Sequence, residues 1–227
     1  LYDLETELLQ ARCDRASRRE RLAQCHLYLI VGPGPEQEAV VAAALRAGVR
    51  LVQYRAKEGA GLTDRERLEQ AQALRLLCTA HGALFLVNDR IDLALAVDAD
   101  GVHLGQDDLP PAVARRLLGP DRLIGRSTHR IEQLRQAVTD GCDYVGVGPV
   151  QATPTKPGRS PVGLTYVQEA AAESPIPFFA IGGIDALALP AVRAAGARRI
   201  AVVRAITEAA DPEAAAAALL LALEADA

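Results

Sequence analysis

Apolar and polar residues follow two regular patterns along most of the chain. Short runs rich in Val, Ile and Leu recur about every 20 to 35 residues, as in buried β-strands. Between them, Ala, Leu and Arg repeat at the three- and four-residue spacing of amphipathic helices. The predicted strands are residues 26–31, 50–54, 83–87, 101–104, 123–125, 144–147, 178–181 and 199–203. The predicted helices are residues 35–47, 64–81, 90–97, 110–118, 130–139, 163–172, 185–195 and 211–224.

Eight strand–helix alternations favour a closed parallel (β/α)8 TIM barrel. The 227 residues, half of them hydrophobic, suit one such domain, since these barrels commonly need roughly 200 to 250 residues. A doubly wound open sheet stays the alternative, because periodicity shows the alternation but not the closure of the sheet. Capping residues such as Thr63 or Asp64 support the helix starts.

The residues before the first predicted strand are charged and have a helical pattern. We therefore predict a helical lead-in at 1–25 and a barrel domain at 26–227. The chain begins with Leu1 and contains no methionine, so one interpretation of the lead-in is the end of an upstream domain.

Composition argues against several classes of partner. The net charge of −4 and the 4% aromatic content give neither a basic surface nor a stacking platform, so nucleic-acid binding is not expected. No apolar run approaches the roughly 20 residues that cross a bilayer, so no membrane span is expected. Four scattered cysteines form no C-x-x-C pair, which predicts reduced thiols and a cytoplasmic protein.

Reactive groups of a barrel enzyme lie where its strands end at the carboxyl side. The second predicted strand ends through Gln53, Arg55 and Lys57, whose alternate spacing points all three to one side. A solvated outer face would explain such alternation in an antiparallel sheet, but less well in a parallel strand that is buried on both faces.

Carboxylates follow the next two strands. Asn88 and Asp89 end the third strand, and Asp107 and Asp108 follow the fourth. Such carboxylates suit Mg²⁺, which takes one or two of them together with phosphate oxygens and water. Capping of the following helices by Asp89 and Asp108 is the alternative.

Phosphate-binding features follow the later strands. The loop at 153–159 offers hydroxyls, a lysine and a glycine, and the seventh and eighth strands lead into Gly182–Gly183 and Val203–Arg204. Many barrels bind phosphate on backbone N–H groups at the latter two positions. Among the histidines, His103 lies within the fourth strand, and only His129 is interpreted as a candidate site residue, with a capping or packing role as the alternative. The chain has no motif of a covalent hydrolase.

Six segments in this order resemble the thiamine-phosphate synthase family. They span most of 26–210, and their co-occurrence is far more specific than any one motif. They are QYRAK at 53–57, NDRIDLAL at 88–95, GVHLGQDDLP at 101–110, GRSTH at 125–129, GVGPVQATPTKPG at 146–158 and IGGI at 181–184.

The resemblance implies a transferase that joins hydroxymethylpyrimidine diphosphate to a thiazole phosphate with loss of diphosphate. The residues that it implies for the pyrimidine diphosphate are Gln53, Arg55, Lys57, Asn88, Ser127 and Lys156, of which Arg55, Lys57, Ser127 and Lys156 would be catalytic. It implies Mg²⁺ as cofactor, on Asp89 and Asp108. The thiazole phosphate site that it implies consists of Thr153, Thr155, Gly183, Val203 and Arg204.

Arg204 departs from the family pattern, which has a serine there. If only the backbone N–H at this position binds phosphate, the change is harmless; if a hydroxyl is needed, affinity for the thiazole phosphate is in doubt.

Two other functions are weighed against the synthase. A related thiazole tautomerase would use a histidine near His129, but it needs no metal or second phosphate site. A non-catalytic phosphate sensor would lack the metal carboxylates, and both are present here. The sequence leaves the oligomeric state open.

Overall fold

The computed structural model describes residues 15–57, 59–152 and 160–224. Eight parallel strands pair in chain order, and β1 pairs with β8 through Leu27↔Ile200 and Leu29↔Val202, so the sheet is a closed barrel. The strands are β1 Leu27–Val31, β2 Leu51–Tyr54, β3 Leu84–Asn88, β4 Gly101–Leu104, β5 Leu123–Thr128, β6 Tyr144–Val147, β7 Phe178–Ile181 and β8 Ile200–Val202. The predicted TIM barrel is confirmed, and the open sheet is excluded.

Helices cover the outside of this barrel. Residues 15–23 are helical and are called α1 here. The others are α2 Gln37–Ala47, α3 Asp64–Ala80, α4 Ile91–Ala96, α5 Pro111–Leu118, α6 Ile131–Thr139, α7 Gly163–Glu173, α8 Leu189–Ala194, α9 Arg204–Thr207 and α10 Pro212–Glu224. No helix in the described part of the chain is long and apolar enough to cross a membrane.

Two element boundaries differ from the sequence prediction by three residues or more, and one helix was not predicted. β5 continues to Thr128, because its polar residues 126–128 still pair with 145–147 of β6. α8 begins at Leu189, since Asp185 accepts hydrogen bonds from the N–H groups of Leu187 and Ala188 in a preceding turn. The four-residue α9 was not predicted, because one helical turn is too short to show a periodicity.

Alternate side chains of each strand divide the core into two layers. One set packs against the helices, and the other fills the barrel interior, where Tyr28, Tyr144 and Phe179 meet edge to face at ring distances of 5.3 to 5.9 Å. Gly125 makes room for this cluster, because a Cβ there would lie 2.1 Å from the Tyr144 ring. The apolar interior therefore holds a rigid aromatic group below the carboxyl end of the barrel.

The described part of the lead-in contacts the amino end of the barrel. Leu22 and Cys25 are 1% and 3% exposed and join the interior cluster. Arg18 forms an ion pair with Asp100, and Arg19 forms one with Asp143. These two aspartates directly precede strands β4 and β6. Residues 15–25 thus close the amino end of the barrel, while the division of the chain at residue 25 stays a prediction.

Candidate active site

A cavity of about 370 Å³ opens at the carboxyl end of the barrel. Residues from all eight strands line it, as does the short helix α9. Its lining includes Gln53, Arg55, Asn88, Ser127, His103, His129, Gly182, Gly183, Val203 and Arg204. The structure therefore brings most of the predicted site residues into one space.

Strand β2 and the residues after it supply an amide and two cations. Gln53 is 1% exposed, and its Nε2 donates a hydrogen bond to the Tyr28 hydroxyl inside the barrel. Burial lowers the pKa of Arg55, and the nearby negative charge of Asp89 opposes this only in part. Lys57 is more exposed and donates to Asp89 Oδ2 at 2.5 Å. A half-buried, incompletely balanced guanidinium favours an anionic ligand.

The two predicted metal carboxylates lie against each other. Asp89 has a φ of 60°, a left-handed conformation that is rare for residues other than glycine, and follows Asn88 at the edge of the cavity. Burial raises the pKa of the Asp89 carboxyl, and a hydrogen bond with Asp108 raises it further. The pKa of the Asp108 carboxyl is lowered. Burial alone would raise it, but this effect is outweighed by hydrogen bonds with Asp89 and the Gly105 N–H and by the positive charges of Lys57 and Arg126.

This pair fits the ligand preference of a hard divalent cation. Two neighbouring carboxylates can ligate the same cation, and Mg²⁺ needs no more than two when phosphate oxygens and water complete its shell. No cluster of three or more potential metal ligands occurs within the described ranges, so an all-protein metal cage is not supported there.

Helix capping does not account for these carboxylates. The residue before α4 is Arg90 and the residue before α5 is Pro110, and neither helix has a side-chain cap. Asp108 instead accepts the Gly105 N–H at 2.6 Å, and a Cβ at position 105 would lie 2.8 Å from its Oδ2. The capping interpretation of Asp89 and Asp108 is therefore wrong.

The far side of the cavity is formed by backbone. Gly182 and Gly183 have φ values of 105° and 69°, and a Cβ at Gly182 would lie 2.6 Å from Pro149. Helix α9 starts at Arg204, directly after Val203, and the first N–H groups of a helix have no acceptor within it. The Arg204 guanidinium lies 4.0 Å from Glu208, so its charge is already partly balanced. Thr153 and Thr155, which were predicted for this region, lie outside the described residues, as does Lys156, which was predicted for the pyrimidine diphosphate.

Sequence reasoning missed a set of polar side chains inside the barrel. His103 was interpreted only as a residue within a strand, yet it lines the cavity and its Nε2 lies 2.9 Å from Ser127 Oγ. Tyr28 and Tyr144 lie beneath it. The available signal was the alternation of β4, which puts His103 on the same face as Gly101, toward the barrel interior. His129 also lines the cavity, so both histidines are candidates, and the role of His129 stays a prediction.

Comparisons with known proteins agree on one family. The family model described as thiamine monophosphate synthase matches residues 27–206. Proteins named thiamine-phosphate synthase from Synechococcus sp. (strain CC9311) and Synechocystis sp. (strain ATCC 27184 / PCC 6803 / Kazusa) are 57% and 55% identical, each over 97% of this chain. The chain spans 63% and 62% of the length of these two relatives.

A solved structure supports the same family, and a second one supports the fold. The structure named thiamine phosphate pyrophosphorylase from Pyrococcus furiosus superposes with a TM-score of 0.80 at 36% identity, covering 91% of this chain and 98% of that one. A 3-hexulose-6-phosphate synthase, with a TM-score of 0.61 and 21% identity, shares the fold alone.

Proposed function

The chain belongs to the thiamine monophosphate synthase family, and from this premise we propose that it joins 4-amino-2-methyl-5-hydroxymethylpyrimidine diphosphate to a thiazole phosphate, giving thiamine phosphate and diphosphate. The main support is that two cations, Arg55 and Lys57, lie close to two carboxylates, Asp89 and Asp108, after strands β2, β3 and β4. They lie beside a cavity that extends to the glycines after β7. Such a site offers separate places for two phosphorylated molecules.

The proposed reaction depends more on neutralising the charge of the departing diphosphate than on a general base. The bond from the pyrimidine methylene carbon to the diphosphate oxygen breaks, and the thiazole nitrogen forms a bond to that carbon. An electron-rich aminopyrimidine can carry positive charge at the methylene carbon, so a dissociative displacement suffices. No covalent enzyme intermediate is needed.

Residues of this chain would supply the charge and the positioning. Arg55 and Lys57 would hold the diphosphate and stabilise its charge as it departs, and Lys156 would join them in the family pattern. Mg²⁺, when bound at Asp89 and Asp108, would add neutralisation of the same oxygens. Asn88 and Ser127, both mostly buried, would orient the pyrimidine diphosphate.

The thiazole phosphate is assigned to the opposite side of the cavity. Backbone at Gly183, Val203 and Arg204, with Thr153 and Thr155, would bind its phosphate. Phe179 and Ile181 give the cavity an apolar wall, which limits attack by water on the cationic pyrimidine.

The charged groups argue against a thiazole tautomerase. An isomerase acting on one phosphorylated substrate has no need for Arg55, Lys57 and the carboxylate pair. The cysteines among the described residues, Cys25, Cys78 and Cys142, are free and buried, and on this ground we propose a cytoplasmic location.

Product formation tests the proposal. The purified chain would be given the pyrimidine diphosphate with and without thiazole phosphate and Mg²⁺, and both diphosphate and thiamine phosphate would be measured. We expect diphosphate release that depends on both substrates and on metal. Isomerisation of the thiazole without coupling would support the tautomerase. If the chain shows neither activity, both enzyme functions are contradicted.

A further inference from the structure

Arg126 is the only Asp, Glu, Lys or Arg within the eight strands that the structure describes. It lies on the helix-facing side of β5, since Gly125 and Ser127 on either side of it face the barrel interior and the cavity. Its partners in the neighbouring strands, Leu104 of β4 and Val145 of β6, are apolar and fully buried. A guanidinium in this layer is costly unless its N–H groups find acceptors.

The Arg126 guanidinium reaches the loop that follows β4. This loop, residues 105–110, joins the end of β4 to the start of α5. Nη1 of Arg126 donates to the Leu109 carbonyl at 3.2 Å, and Nη2 donates to the Gln106 carbonyl at 3.3 Å. Gln106 returns a hydrogen bond, because its Nε2 donates to the Ser127 carbonyl at 2.7 Å. Three hydrogen bonds therefore hold the loop on β5.

Asp108 lies in the chain between the two carbonyl groups that Arg126 binds. Its carboxylate accepts the Gly105 N–H at 2.6 Å within the same loop, and it also hydrogen-bonds with the Asp89 carboxyl after β3. A short loop outside the strands and helices opens easily unless other contacts hold it. The place of the Asp108 carboxylate beside Asp89 therefore depends on what holds residues 106 and 109.

We propose that Arg126 is a positioning residue that holds the 105–110 loop, and with it the Asp108 carboxylate, in place for a divalent cation shared with Asp89. Arg126 donates to backbone carbonyls and acts through the loop. Residues that orient metal ligands in this way are typically worth about 10- to 100-fold in metal affinity. The inference rests on the proposed function, to which the assignment of a cation to Asp89 and Asp108 belongs.

Arg126→Gln tests this role, because the shorter glutamine side chain cannot reach both carbonyl groups. Calorimetric titration of inorganic diphosphate at increasing Mg²⁺ gives the Mg²⁺ concentration for half-maximal binding. We expect this concentration to rise about tenfold in the variant. At saturating Mg²⁺ the diphosphate affinity should fall less than about twofold, because excess cation compensates for a weaker site by mass action. An unchanged Mg²⁺ dependence would overturn the proposal.

A double-mutant cycle shows whether Arg126 acts through Asp108. In an Asp108→Asn background, Arg126→Gln should change the half-maximal Mg²⁺ concentration by less than about twofold, because the ligand that it positions has been removed. Equal changes in both backgrounds would contradict the proposal.

Arg126→Lys separates position from charge, and it replaces Arg126→Gln if that variant does not fold. Lysine keeps the positive charge but offers one ammonium group in place of a planar fork, so we expect the half-maximal Mg²⁺ concentration to rise about threefold. A wild-type value in Arg126→Lys would assign the effect to charge alone and would overturn the positioning role.

The matched control is Arg50→Gln. Arg50 directly precedes β2 at the amino end of the barrel, and its Nη1 donates to the carbonyl groups of Leu45 and Val49 at 2.9 and 2.8 Å. This change also removes two hydrogen bonds from an arginine to the backbone, but far from the 105–110 loop. The urea midpoint should fall by a similar amount in both variants, while Arg50→Gln keeps the wild-type Mg²⁺ dependence. The same altered Mg²⁺ dependence in Arg50→Gln would attribute the effect to lost stability and contradict the proposal.

Hydrogen exchange reports on the loop without any ligand. The Gly105 and Asp108 amides form hydrogen bonds within the loop. We expect both to exchange about tenfold faster in Arg126→Gln, because local opening no longer breaks the bonds to Arg126. Unchanged exchange would overturn the proposal whether or not the chain is a synthase. Faster exchange in a protein that neither binds diphosphate nor forms thiamine phosphate would instead refute the proposed function and leave the positioning of the loop standing.

Discussion

The two ends of the barrel use the same residue types in opposite ways. At the amino end, Asp143 is fully buried, pairs with Arg15, Arg19 and Arg115, and also accepts the Ile124 N–H. At the carboxyl end, Asp89 and Asp108 lie against each other, and Lys57 donates to the first of them. Fully compensated charge holds a structure together, whereas incompletely compensated charge leaves capacity for a ligand. We therefore assign stability to the amino end and chemistry to the carboxyl end.

The sharpest test of that division removes charge at the carboxyl end. We expect Asp89→Ala or Lys57→Ala to lower turnover about 100- to 1,000-fold, the usual cost of losing a group that stabilises transition-state charge. The free energy of unfolding should change by less than about 1 kcal/mol, because this ion pair is partly exposed. Steady-state kinetics and urea unfolding measure the two effects.

Asp92→Ala is the control for this change. Asp92 is an exposed carboxylate on neighbouring α4 that pairs with Arg90, and its loss should leave turnover unchanged. Near-normal turnover in Asp89→Ala would remove the carboxylates from the mechanism.

The converse change is Asp143→Asn at the amino end. It leaves three arginines without a buried anion, and breaking such a network costs about 3 kcal/mol. We expect the urea midpoint to drop while turnover per folded molecule is retained. Asp98→Asn, which alters an exposed pair with Arg122, should cost less than about 1 kcal/mol. Similar stability in the two variants would mean that the buried network does not stabilise the barrel.

Thiol reactivity reports on burial at the amino end. Burial raises the pKa of Cys25, Cys78 and Cys142 to about 12, so at pH 8 they remain thiols, while the unfolded chain has more thiolate. In a Cys13→Ser background, we expect native labelling by iodoacetamide to be more than about 100-fold slower than in urea. Peptide mass spectrometry would locate the label, and rapid native labelling of Cys25 would show that the lead-in does not close the barrel.

The smallest expected effect is at Arg204. Since its guanidinium is already near Glu208 and half exposed, Arg204→Ser should raise KM for the thiazole phosphate only about threefold. Initial rates at saturating pyrimidine diphosphate measure this constant. An unchanged KM would show that the phosphate is bound there by backbone alone.

The sequence predicted the fold better than it predicted contacts inside the barrel. Strand and helix periods report local burial, so all eight strands and eight of the helices could be placed. They do not report which side chains from distant strands meet. Tyr28 and Tyr144 are 116 positions apart, and their contact depends on the register of the closed barrel.

The site was predicted to the extent that strand ends converge. Gln53, Arg55, Asn88 and Ser127 line one cavity because parallel strands end at the same face. The packing of Leu22 and Cys25 into the amino end was not predicted, because a charged helical pattern gives no sign of the surface that it covers. The roles of individual site residues stay predictions.

Calorimetric titration of inorganic diphosphate into the purified chain tests the division between the two ends most directly. We predict binding that requires Mg²⁺, is lost in Asp89→Asn, and is retained by the folded fraction of Asp143→Asn. Equal, metal-dependent binding by the wild type and Asp89→Asn would contradict the assignment of the diphosphate and its cation to the carboxyl end of the barrel.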